Sequence, residues 1–225
     1  MMVIEDYQRN ERFRHHLDVI RANAPVSYGG LKLYEGKRNY LMQSPKEFAA
    51  TLCFLEDHFK NKEVKYLEIG TASNLTNSMI WNSLNIKENI IIDNLECPNI
   101  AEPLVGNLSF KQNTVLIVGD STQDSIKEKV EGLGYKYDLM LIDGNHDFGY
   151  VTKDFEYYHH FLAEDGLLIF HDIDNDEVAG VREFITTNPV LKTNFIQRSN
   201  FVDSGNYLKK STLGSQCGIG IFSLI

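Results

Sequence analysis

The chain is short of several things, and each shortage excludes a class of protein. Cysteine occurs only three times in 225 residues, at Cys53, Cys97 and Cys217, without CxxC spacing. An odd, scattered set reads as reduced thiols in a cytoplasmic protein, not as a disulfide frame or a zinc site. Positive charge is scarce: 22 Lys and Arg stand against 31 Asp and Glu, giving a net charge of −9 and a pI near 5.2. Without a basic surplus to neutralise phosphates, neither nucleic acid nor an anionic membrane is an expected partner. No apolar run approaches the length of a membrane-spanning helix. The opening residues, MMVIEDYQRNERFRHH, lack the apolar heart of a secretion signal. No internal repeat or low-complexity tract is present. The glycine fingerprint GxGxxG is missing as well, which argues against NAD, whose pyrophosphate needs the second glycine.

What remains is 43% hydrophobic, enough for one substantial core in a single domain. Short apolar runs alternate with stretches of helical spacing. VKYLEIG (64–70), NIIID (89–93), TVLIVG (114–119), the run 139–142 and LLIF (167–170) read as buried strands. Residues 193–197 and 217–224 supply two more. Between them, apolar residues at helical spacing predict helices: Leu75, Met79 and Ile80; Ile126, Val130 and Leu133; Val151, Phe155, Tyr158 and Leu162; Val178, Val181, Phe184 and Ile185. Strands alternating with helices indicate a parallel sheet covered on both faces.

Before this unit, residues 5–23 predict a polar helix. Residues 24–43 form a turn-rich arm bearing Tyr28, Tyr34 and Tyr40, either a lid or a segment packed on the domain. Ser44-Pro45-Lys46-Glu47 reads as a capping box with proline at the first helical position. The expected division is an N-terminal extension over 1–59 and a main domain over 60–225.

In open α/β sheets, ligands sit beyond the carboxyl ends of the strands, so the residues there are the candidates. Gly70 begins a small-residue turn, Glu68-Ile69-Gly70-Thr71-Ala72-Ser73, where backbone N–H groups can meet a ligand. Asp93 ends the second strand, about where a ribose-binding acid sits, or is an ordinary turn residue. Asp120-Ser121 ends the third strand and is either a ligand contact or a helix cap. Asp143 and His146 follow the fourth strand, and His171-Asp172 the fifth. Asp172, Asp174, Asp176 and Glu177 form an acidic run that is part solvated face, part helix cap. His159 and His160 fall inside a helix and read as structural or exposed.

Taken together, LEIGTAS and IDGNHDFGYVTKDF…FLAEDGLLIFHDI resemble the class I S-adenosylmethionine-dependent methyltransferases over about residues 60–225. The likeness is greatest to the branch with macrolide-sugar O-methyltransferases and cephalosporin-hydroxylase-like proteins. The resemblance implies a Rossmann-like fold with a seven-stranded, mostly parallel sheet whose last strand is antiparallel. It implies that Glu68, Gly70, Thr71, Ala72 and Ser73 border the methionine part of the cofactor. Asp93 then takes the ribose, Asp120 and Ser121 lie beside adenine, and Asp143 borders both cofactor and acceptor. In metal-dependent members an acid at the position of Asp143 and an acidic pair after the fifth strand hold Mg²⁺, with the base three residues after the first acid, here His146. This chain departs from them at His171, where a carboxylate is usual. A metal site of Asp143, His171 and Asp172 thus admits Mn²⁺ or Fe²⁺ besides Mg²⁺, or His171 only orients its neighbours. The implied activity is methyl transfer to a hydroxyl of a small acceptor, a sugar or glycosylated metabolite. The alternatives are an Fe(II) oxygenase or a non-catalytic cofactor-binding module. Chain size is compatible with a homodimer, but the sequence carries no interface signature.

Overall fold

The computed structural model describes residues 7, 10–23, 32–34, 37–39, 43–72, 74–96, 113–174, 179–197 and 218–225. Seven strands form one sheet: β3 (Val64–Ile69), β4 (Ile86–Asp93), β5 (Thr114–Val118), β6 (Tyr137–Ile142), β7 (Leu162–His171), β8 (Leu191–Gln197) and β9 (Ile219–Leu224). Their order is β5-β4-β3-β6-β7-β9-β8. The pairs from β5 to β7 are parallel, and β9 runs antiparallel between β7 and β8. The order reverses between β3 and β6, and the carboxyl ends of these two strands carry Gly70 and Asp143. That is the switch point at which doubly wound sheets bind ligands.

Helices α1 (Glu11–Asn23), α2 (Pro45–His58) and α3 (Leu75–Ser83) cover one face, and α4 (Asp124–Gly132), α5 (Phe148–Tyr158) and α6 (Gly180–Thr187) cover the other. Successive strand residues point to opposite faces, so each central strand feeds two cores. Tyr66, Leu139, Leu141 and Ile169 pack with Phe48, Leu52 and Ile80. Leu67, Ile69, Met140, Ile142 and Phe170 pack with Ile126, Val151, Phe155 and Phe184. Burial on both sides explains why these strands read as continuous apolar runs.

Four local features differ from the sequence expectation. Leu162 begins β7 instead of closing the stripe of α5, because a 3₁₀ turn at His159–Phe161 ends the helix first. Strand β7 also starts five residues before LLIF and includes Asp165-Gly166, whose sequence suggests a turn, within a bulge: Tyr137 pairs with Leu162 and Leu139 with Leu167, so residues 163–166 oppose Asp138 alone. Strand β4 starts at Ile86, three residues earlier than NIIID suggests. Pro45 does open α2, but Ser44 makes no capping bond and Glu47 is fully buried. The capping box fails because Glu47 is drawn into the core.

Within the arm, β1 (Lys32–Tyr34) and β2 (Lys37–Asn39) form an antiparallel ribbon. Tyr28, Tyr40, Val178 and the polar loop 198–215 lie outside the described residues, as do Ser73, Asp176 and Glu177.

Candidate active site

The first wall of the site is the turn after β3. Gly70 has φ +79°, and a Cβ there would lie 2.2 Å from the Asp143 carbonyl oxygen and 2.7 Å from Gly144 Cα. Only glycine lets the ends of β3 and β6 meet so closely. Ala72 (φ 46°) and Asn74 (φ 64°) continue in the left-handed region, each at a cost of about 1–2 kcal/mol. Asp93 holds this strained turn in place. Its Oδ2 accepts from Thr71 N at 2.8 Å and Ala72 N at 3.0 Å, and its Oδ1 from Leu95 N at 2.7 Å. The acid expected at the ribose is thus seen to organise the turn after β3. Oδ1 keeps acceptor capacity for a hydroxyl.

Glu68 sits beneath the turn, fully buried. Its Oε2 accepts from Tyr66 Oη at 2.6 Å and Asn77 Nδ2 at 2.7 Å. Asn77 and Asn89 exchange amide bonds of 3.1 and 2.8 Å, and Asn89 reaches Thr114 Oγ1. A polar chain therefore crosses the inner sheet from β3 to β5. Burial outweighs these donors and pushes the Glu68 carboxyl up to about 7.

The two residues expected beside adenine are each engaged by a neighbour. Asp120 Oδ1 accepts from Thr122 N and Thr122 Oγ1, and the Ser121 carbonyl accepts from Tyr158 Oη at 2.7 Å. Asp154 on α5 is buried beside this segment and Gly144, and burial pushes its carboxyl up to about 7. The sequence places Asp154 within the motif IDGNHDFGYVTKDF but assigns it no role.

The second wall is the cluster of Asp143, His146, His171 and Asp172, which the structure brings together as expected. Asp143 Oδ1 lies 3.0 Å from His171 Nδ1 and 3.3 Å from His146 Nε2, and Oδ2 accepts from Gln43 Nε2 at 3.0 Å. His146 Nε2 is also 3.5 Å from Asp172 Oδ2. Asp172 has φ 56°, a strained conformation of the kind that collects at functional sites. Burial would raise Asp143, but the two imidazoles hold its carboxyl well below the usual carboxylate range. Burial opposes charge on His146, yet Asp143 and Asp172 outweigh it and keep its pKa above the ordinary histidine value.

Three partners of this cluster carry no sequence signal. Gln43 bridges Asp143 and α3, accepting from Thr76 Oγ1 at 2.6 Å. Gly180 passes so close to the loop of His146 that a Cβ would lie 2.4 Å from the His146 carbonyl. Glu47 is buried behind His171 and beside the Gly218 backbone, and burial pushes its carboxyl up to about 8. His159 and His160 take no part: His159 bonds the Phe155 carbonyl at 2.7 Å and stacks on its ring.

The donor atoms of Asp143, His146 and His171 all lie within 4.8 Å of one another. Asp172 adds a carboxylate next to both imidazoles. Two nitrogens and two carboxylates fit a divalent ion, and the mixed set suits Mn²⁺ or Fe²⁺ better than oxygen-seeking Mg²⁺.

Comparison with known proteins agrees with this geometry. Residues 67–173 match the family model described as a methyltransferase domain. An uncharacterised protein of Acanthamoeba polyphaga mimivirus is 29% identical over 122 residues, 52% of this chain and 55% of the relative. The chain thus spans about half the length of the curated relative that it matches. Among solved structures, the N-methyltransferase NodS of Bradyrhizobium japonicum, in complex with S-adenosylhomocysteine, superposes with a TM-score of 0.58 at 14% identity, over 94% of this chain and 98% of that one. A putative caffeoyl-CoA O-methyltransferase of Staphylococcus aureus gives 0.54 at 18% identity, over 98% and 95%. The methyltransferase MycE of the mycinamycin pathway, bound to Mg, S-adenosylhomocysteine and mycinamycin, gives 0.51 at 15% identity, over 76% and 46%. At such identities these are likenesses of fold, and that fold is the Rossmann-like one observed here. The segment from β3 to the end of the acidic cluster, residues 67–173, thus matches a methyltransferase domain, and it lies on a Rossmann-like sheet.

Proposed function

We propose that this protein is an S-adenosylmethionine-dependent O-methyltransferase acting on a hydroxyl of a small acceptor, with a sugar or glycosylated metabolite as the acceptor class. One observation carries the reading. Gly70, in the cofactor turn, is in backbone contact with Asp143, the centre of the proton-handling cluster. A methyl donor bound at this turn would therefore meet an acid–base group at one point of the sheet edge. The solved complex of MycE with mycinamycin supports the acceptor class.

The turn 70–72 and Asp93 would bind the cofactor, with Glu68 beneath it and Asp120 and Ser121 on the adenine side. The cofactor supplies a methyl group on a sulfonium, already a good electrophile. The chain must orient the acceptor oxygen in line with that methyl and take its proton. As the new C–O bond forms and the methyl–sulfur bond breaks, the hydroxyl proton passes to His146. With Nε2 3.3 Å from Asp143, the neutral imidazole that donates from Nε2 would receive the proton on Nδ1. Asp143 and Asp172 stabilise the resulting imidazolium, and His171 and Gln43 fix Asp143. A divalent ion held by Asp143, His171 and Asp172 would supply Lewis acidity toward the acceptor hydroxyl.

Methyl-labelled cofactor offered with a panel of sugars and glycosides tests the proposal. Label should enter a base-stable ether, and His146→Ala should keep S-adenosylhomocysteine affinity while losing a hundredfold or more in turnover. Full turnover in that variant would remove His146 from the mechanism. Asp143, His146 and His171 also make up the two-histidine, one-carboxylate set of non-haem iron oxygenases. Iron-dependent oxygen uptake without methyl transfer would favour that second reading.

A further inference from the structure

A separate donor cluster lies between α1 and α2, where the sequence reads Cys53 only as a reduced thiol. Cys53 and Glu56 are three apart on α2 and so share one face. His16 of α1 meets them from across the helix pair, with its Nε2 2.8 Å from Glu56 Oε1. The sulfur, the imidazole nitrogen and a carboxylate oxygen all lie within 4.8 Å of one another. Arg12 takes the second oxygen of Glu56 at 3.4 Å and Asp57 at 2.7 Å, which orients Oε1 toward His16. Cys53 is fully buried and His16 8% exposed. His16 and Glu56 also line a cavity of about 390 Å³, whose wall includes Arg12, His15, Met79 and Asn82.

Thiolate, imidazole and carboxylate are the three ligand types that zinc selects, and three protein ligands leave a fourth position for an exchangeable group. The helices are already packed, so little ordering remains to oppose binding. A plain hydrogen bond between His16 and Glu56 accounts for two of the three groups, but not for a thiol in the same cluster. We infer that His16, Cys53 and Glu56 form a zinc site, distinct from the active site, that clamps α1 onto α2 and has its fourth position open to the adjoining cavity. Arg12 is a positioning residue for it.

Cobalt reports on the site because a thiolate ligand adds a sulfur-to-metal charge-transfer band to the tetrahedral d–d bands. The full-length protein, titrated with Co²⁺ and then Zn²⁺, should show this band, and zinc should displace it. Cys53→Ser should abolish the band, and Asp143→Asn should leave it intact. Glu56→Gln preserves volume and should weaken zinc binding at least tenfold while the protein stays folded. Zinc at a hundredfold excess over its Kd should raise the melting temperature of the wild type by about 5–10 °C, and that of Glu56→Gln by less. A missing charge-transfer band would overturn the proposal. So would a band that survives Cys53→Ser, or zinc stabilisation that Glu56→Gln leaves undiminished.

Discussion

Replacing Gly70 with alanine isolates the contact on which the site depends. The new Cβ would lie 2.2 Å from the Asp143 carbonyl oxygen, about 1.2 Å short of the 3.4 Å at which ordinary contact begins. Both partners are backbone, so no rotamer change relieves the clash and the ends of β3 and β6 must move apart. Alanine at φ +79° adds a conformational cost of about 1–2 kcal/mol. With about 1–3 kcal/mol for overpacking, the total is about 4 kcal/mol. Gly134 is the internal control: it has φ +68° and nothing within 4 Å of a Cβ. Gly134→Ala therefore bears the conformational cost alone, about 1 kcal/mol. For a chain of this length these figures correspond to melting temperatures lowered by about 8–16 °C and about 2–4 °C. Calorimetric melts of both variants give the comparison, and titration with S-adenosylhomocysteine should show weaker binding in Gly70→Ala only. If the two variants melt together and bind the ligand equally, the strand ends are not in the contact described and the argument fails.

Stability should also depend on pH through buried acids, of which Glu68 and Asp154 stand apart from the His171 cluster that Glu47 adjoins. Glu68 and Asp154 are each pushed up to about 7 from ordinary values near 4.5 and 3.8. Their contribution is complete below those ordinary values and is lost as pH rises through about 7, at roughly 3–4 kcal/mol each. Melting temperature should therefore fall between pH 5 and 8, and Glu68→Gln with Asp154→Asn should flatten that slope; an unchanged slope refutes the assignment. Methyl transfer should rise with pH through the elevated pKa of His146, since the base must first shed its proton, and Asp172→Asn should move the rise to lower pH. A rate profile that ignores Asp172 would detach that residue from the base. Gln43→Ala should remove the Asp143 Oδ2 hydrogen bond and slow turnover about tenfold with little change in cofactor affinity.

Much of the fold was legible because this sheet is buried on both faces. The ends of β6 and β7 read as strands from their unbroken apolar runs and β3 from its mostly apolar one, and the polar residues after them fell at the strand ends. Gly70, Asp93, Asp143, His146, His171 and Asp172 are legible for that reason. The insertion of β9 between β7 and β8 is not, since pairing order leaves no local trace and the family resemblance implied only that the last strand is antiparallel. Tertiary contacts hid the rest. Ser44 and Glu47 have the spacing of a capping box, yet the pull of the core on Glu47 wins. Asn77 and Asn89 look like ordinary polar residues until β3, β4 and α3 bring them together with Glu68. Gly180 reads as a plain helix residue, although its missing side chain seats the His146 loop. Cys53 illustrates the same limit, because its partners His16 and Glu56 meet it only once α1 packs on α2.

The central claim is that the Gly70–Ala72 turn held by Asp93 forms the cofactor pocket, and calorimetric titration with S-adenosylhomocysteine tests it most directly. Micromolar affinity in the wild-type protein, weakened tenfold or more by Asp93→Ala and unchanged by His146→Ala, is the predicted result. No detectable binding, or binding indifferent to Asp93, would contradict it.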